Sequence, residues 1–70
     1  MMHSSEDAKW IKQQLERIPQ RYRQQAMDGY SDAYKSAYDA EPAEHRKENA
    51  ARFAANTRLR KFIEKVLAMR

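Results

Sequence analysis

Pro19 and Pro42 are the only two prolines in a chain of 70 residues, and Gly29 is its single glycine. Proline in a helix interior removes a hydrogen bond and clashes with the preceding turn, and it pushes the residue before it toward extended backbone. Each proline therefore marks a corner. The stretches on either side are rich in Ala, Gln, Glu, Lys and Arg and poor in Val and Ile, which favours helix over sheet. The expected fold is all-α, one domain over residues 1–70. Two long antiparallel helices form a hairpin, and a shorter N-terminal helix packs across it. The helices are expected at about 5–17, 19–40 and 42–68, behind a flexible tail at residues 1–4.

Each segment has its own signals. Ser4 and Ser5 precede Glu6 and Asp7, which suits a capped helix start with acids at the positive end of the dipole. Ala8, Ile11, Leu15 and Ile18 then fall on one face, with Trp10 lapping over its edge. Pro19 and Pro42 both fit the first turn of the helix that follows. A kinked continuous helix through Pro19 is the alternative to a bend at Ile18–Pro19. In the second segment Met27, Tyr30, Tyr34 and Ala37 share a face. Gly29 there marks either a close approach by another helix or a break with Ser31 capping a new start. The unchanged phase of the tyrosines across it favours one continuous helix. The third segment carries Leu59, Phe62, Ile63, Val66, Leu67 and Met69 in its second half. Its first half is alanine-rich around Phe53, which would allow a close neighbour. Leu59, Phe62, Val66, Ile11, Leu15 and Tyr34 are expected to share the core.

A chain this short supplies only about 3–5 kcal/mol from its own core. It has no cysteine, so neither a disulfide nor a thiolate metal site adds to that. No apolar run approaches the roughly 20 residues that span a bilayer, and the stretch MMHSSEDAKW has no apolar signal core. A cytoplasmic location is the resulting expectation.

The chain contains no glycine-rich phosphate loop and no nucleophile with a base placed beside it by spacing. His45 and Glu48 lie one turn apart, but a stable metal site needs about four ligands. The expectation is a non-enzymatic protein with no cofactor, no metal and no small-molecule substrate. The net charge is +4, and the excess lies in residues 49–70, where Arg52, Arg58, Arg60, Lys61, Lys65 and Arg70 face Glu64 alone. Lys47, Arg58, Lys61 and Lys65 fall in one narrow helical sector opposite Leu59 and Val66, with Arg60 toward the flank. Such a ridge tracks phosphates, although it also describes the solvated face of an ordinary amphipathic helix. A helix-turn-helix fits poorly, because the third helix is long and begins with acids. A membrane-surface role for that helix is set aside, because its apolar face is needed for the core.

Tyr22, Tyr30, Tyr34 and Tyr38 cannot all face one neighbour. Four-residue steps drift by about 40° each, so Tyr22 and Tyr38 end about 160° apart. These two outlying rings, with Trp10, are the candidate protein-binding residues, since tyrosine buries a large ring while its hydroxyl stays wet.

Ile18-Pro19-Gln20-Arg21-Tyr22-Arg23 and the run from Arg46 through Arg52 to Arg60 resemble small helical proteins of enterobacterial prophages, over about residues 10–65. The resemblance implies a partner, often a host protein, and assigns no functional residue. The leading expectation is a protein-interaction module, binding itself or a host protein as an adaptor or inhibitor. The alternative is a nucleic-acid-binding accessory protein acting through Lys47, Arg58, Arg60, Lys61 and Lys65.

Overall fold

The computed structural model describes residues 7–69. Within them the chain forms α1 (Ala8–Leu15), α2 (Gln20–Ala40) and α3 (Lys47–Ala68), with a short 3-10 turn, Glu44–Arg46, leading into α3. The two long helices pack against each other as a hairpin, and α1 touches both. Among the described residues no helix is long and apolar enough to cross a membrane. The expected tail at residues 1–4 and the serine cap at Ser4 and Ser5 lie outside the described residues.

The boundaries differ from expectation for local reasons. α1 ends at Leu15, two residues early. Its last turn tightens, with Arg17 N donating to Gln14 O at 3.1 Å and Ile18 N to Leu15 O at 3.3 Å. Pro19 is the N-cap of α2, with extended backbone (φ −57°, ψ 147°), rather than a residue of its first turn. The chain therefore bends here and α1 does not run on into α2. At the second corner Glu41 is extended (φ −82°, ψ 117°), as a residue before proline should be. Ala43 is extended too (φ −85°, ψ 115°), so Pro42 stands in the loop, and α3 begins at Lys47 rather than at 42.

Each corner is held by a basic side chain from the helix that follows it. The first is held by Arg23, whose Nε donates to Leu15 O at 2.9 Å and Ile18 O at 3.3 Å. At the second, Lys47 Nζ donates to Glu41 O at 2.6 Å and Tyr38 O at 3.1 Å. In both cases a cation donates to carbonyls at the C-terminal end of a helix, the negative end of its dipole.

The core is Ile11, Ile18, Ala26, Tyr30, Ala55, Leu59, Ile63 and Val66. Ala51 is also buried, so the alanines of α3 do allow α2 to come close. Of the residues expected to share the core, Ile11, Leu59 and Val66 are buried, while Leu15, Tyr34 and Phe62 are half-buried against it. Ile63 takes the place expected for Phe62. α3 packs on both α1 and α2, which widens its buried sector beyond what a single neighbour would cover. Phe53, in the alanine-rich half, points outward and is 76% exposed.

α2 is continuous through Gly29, which removes the break at Asp28–Gly29 and the Ser31 cap. The close approach is made by the Arg58 side chain. A methyl at Gly29 would lie 3.6 Å from Arg58 Nε and 3.9 Å from its Cγ and Cζ, ordinary van der Waals distances. Glycine in a helix costs about 1 kcal/mol relative to alanine. Gly29→Ala is therefore expected to stabilise the protein by about 0.4–1 kcal/mol, read as a higher urea midpoint with unchanged slope. A lower midpoint would mean that Arg58 has no room to accept the methyl.

Candidate nucleic-acid interface

α2 and α3 meet along a seam whose open edge carries two adjoining clefts. The first, about 240 Å³, is lined by Gln25, Ala26, Asp28, Gly29, Asp32, Arg58 and Phe62. The second, about 320 Å³, is lined by Gln25, Arg58, Lys61, Phe62 and Lys65. Gln25, Arg58 and Phe62 belong to both. Gly29 helps make this space, because it presents no side chain where Arg58 crosses α2. Arg58, Lys61 and Lys65 are all exposed. They stand three and four residues apart on successive turns, separated along α3 by rises of about 4.5 and 6 Å. Phe62 is half-buried among them, one side packed on the core and the other open to the clefts. Asp28 and Asp32 form an acidic lip at the far end, where Asp28 Oδ1 accepts a 2.9 Å hydrogen bond from Gln24 Nε2.

Three of the five cations expected in a basic ridge are thus gathered at one place. The other two are not. Lys47 shares the helical sector, but its ammonium is committed to the carbonyls of the second corner and lies 5.4 Å from the centre of the Tyr38 ring. Arg60 is exposed but lines neither cleft, being about 200° around the helix from Arg58. Gln25 and Phe62 were not foreseen as lining residues. Their signal is the hairpin itself, since folding at Pro42 brings side by side positions roughly equidistant from it.

None of the three candidate protein-binding residues lines either cleft. Trp10, on α1, is half-buried against the core. Tyr22, at the start of α2, also packs on the core, with the Arg21 guanidinium carbon 5.0 Å from its ring centre. Tyr38 is 37% exposed, sixteen residues or about 24 Å of helix from Tyr22. It continues a stack in which Tyr30 and Tyr34 have centroids 6.4 Å apart and Tyr34 and Tyr38 6.3 Å apart.

Beneath this stack a bidentate ion pair joins the start of α1 to α3. Arg52 Nε lies 2.8 Å from Asp7 Oδ2, and Arg52 Nη2 lies 3.3 Å from Asp7 Oδ1. Asp7 thus reaches a neighbouring helix rather than capping its own. Burial, then the charge of Asp7, pushes the Tyr30 phenol up from 10 to about 12, against a smaller opposing effect of Arg52. Tyr34 is raised as well, by burial first and then by Glu48. Both phenols keep their protons at neutral pH and offer no general base there.

The shift at Tyr30 has a defined sign. Between pH 10 and about 12 the folded protein keeps a proton that the unfolded chain releases, so stability falls as pH rises through this window. In an alkaline titration followed by phenolate absorbance, Tyr30 should give a late step near pH 12, together with loss of helical circular dichroism. Tyr30→Phe should delete that late step. Ionisation of Tyr30 near pH 10 in an intact helix would contradict its burial.

Among the described residues no group of three or more His, Cys, Asp or Glu is placed to hold a metal ion, and His45 is exposed on the turn before α3. Comparison with protein-family models, with curated proteins and with solved structures gives no match.

Proposed function

We propose that the chain is a non-enzymatic helical module that binds nucleic acid at the α2/α3 seam. The observation that carries this reading is the gathering of Arg58, Lys61 and Lys65 around the second cleft, which also exposes Phe62 and Gln25. Cations on successive turns suit phosphates spaced along a backbone. An aromatic face and an amide among them offer a base something to stack on and something to hydrogen-bond. Tyr22 and Tyr38, by contrast, stand about 24 Å apart along α2, so they support a common protein-binding site less well.

Fluorescence anisotropy with labelled oligonucleotides at low salt tests the reading and its location together. Lys65→Ala should weaken binding several-fold, while Arg60→Ala should leave it unchanged. Loss of binding in Arg60→Ala with none in Lys65→Ala would move the interface off this seam, and no binding at low salt would end the proposal.

A second reading, a protein partner that is a host protein or another copy of this chain, is favoured by Phe53. Its ring is 76% exposed on α3, a large apolar group in water with no role in the core. Light scattering over a range of concentrations tests the self-binding form. A dimer that Phe53→Glu converts to a monomer would support it. A monomer at every concentration would count against it.

A further inference from the structure

Resting on the nucleic-acid reading, we propose that the seam takes a single strand and discriminates against a duplex. Three features of the seam point this way. The first is the Phe62 ring. It lines both clefts, and the larger, about 320 Å³, is open to solvent along the seam. A base must leave its stack to reach such a ring, and only a single strand presents its base faces without first unpairing them. Gln25, which also lines both clefts, stands where it can meet the edge of that base.

The second is the single row of cations. Arg58, Lys61 and Lys65 follow one edge of α3 beside α2. Reading a duplex requires an element that enters a groove about 12 Å wide. Here Gln25 of α2 lines the same cleft as all three cations, so the row lies against a second helix rather than on a helix face free to enter a groove.

The third is the acidic lip. Asp28 and Asp32 line the first cleft together with Arg58, and both are exposed. One strand can follow Lys65 and Lys61 and leave the seam at Arg58, where these carboxylates begin. A duplex seated on the same cations carries a second row of phosphates, and the lip repels it. Charge therefore selects by strand number as well as for polyanions in general.

The probes are a short oligo(dT), the matching oligo(rU) and a blunt DNA duplex with the same number of phosphates, titrated by anisotropy at one low salt concentration. At least one single strand should bind about tenfold tighter than the duplex, and the tighter of the two identifies DNA or RNA as the source. Phe62→Leu should weaken single-strand binding on the order of tenfold, the size of one lost base-on-aromatic stack, while duplex binding stays the same. Phe62→Tyr, which keeps the ring, should restore the affinity. Asp28→Asn with Asp32→Asn touches no core residue, so it remains informative even if Phe62→Leu lowers stability. That pair should narrow the gap between duplex and single strand by raising duplex binding. Equal or tighter duplex binding by the wild type, or a gap unmoved by the Asp28 and Asp32 changes, would overturn the proposal while leaving nucleic-acid binding intact. Failure to bind any of the three probes would overturn the reading on which it rests.

Discussion

Leu59→Ala should leave the protein largely unfolded at room temperature. Leu59 is fully buried, within the cluster that holds Tyr30, Ile63 and Val66 and ties in Ile11 of α1. Truncating a leucine at such a site costs about 2.7–5 kcal/mol, the lost transfer energy plus a cavity. A chain of this size holds only about 3–5 kcal/mol from its core, and no disulfide offsets the loss. Far-UV circular dichroism should show the helical signal falling toward that of an unfolded chain, with recovery only if added osmolyte restores folding. Phe62→Ala should cost less, because Phe62 is half-buried and one side already faces solvent. The order of the two mutants is therefore diagnostic. If Leu59→Ala melts with the wild type, the α2/α3 packing described above is wrong.

Charge reversal at the seam should have the largest effect on binding. Lys61→Glu together with Lys65→Glu replaces two phosphate partners by two repelling groups, and the affinity for a single strand at low salt should fall on the order of a hundredfold. Both side chains are exposed, and Lys65 lies in the last turn of α3, so the two reversals should lower stability by no more than about 1–1.5 kcal/mol. Binding lost while the fold is retained assigns the effect to the seam. Binding retained in the double variant would leave Lys61 and Lys65 as an ordinary solvated face.

Much of the fold can be read from the residues before any coordinates. Pro19 and Pro42 mark both corners, and the apolar spacing places Ile11, Tyr30, Leu59 and Val66 inward. What is lost is what depends on contacts across the corners. Arg23 and Lys47 look like surface cations, yet each reaches back to cap the preceding helix. Lys47 consequently drops out of a ridge to which its helical angle assigned it. Periodicity gives the inward face of a helix, but the position of the neighbours sets the centre of that face. That is why Tyr30 rather than Tyr34, and Ile63 rather than Phe62, is fully buried. Phe53 shows the same limit, since its alanine-rich surroundings indicate close packing but not which side of α3 receives it.

The candidate site was legible in part for the same reason. Arg58, Lys61 and Lys65 share a sector of one helix, so spacing alone groups them. Gln25, Asp28 and Asp32 join them only through the hairpin, and Gly29 matters only because Arg58 crosses it.

The most direct test of the proposed interface is the salt dependence of single-strand binding by the wild type and by Lys65→Ala. Three cations engaging phosphates predict a slope of log Kobs against log salt of about −2, at roughly −0.7 per contact on a single strand. Lys65→Ala should make that slope shallower by about 0.7. A slope near zero, or a steep slope unchanged by Lys65→Ala, would contradict a nucleic-acid interface at the α2/α3 seam.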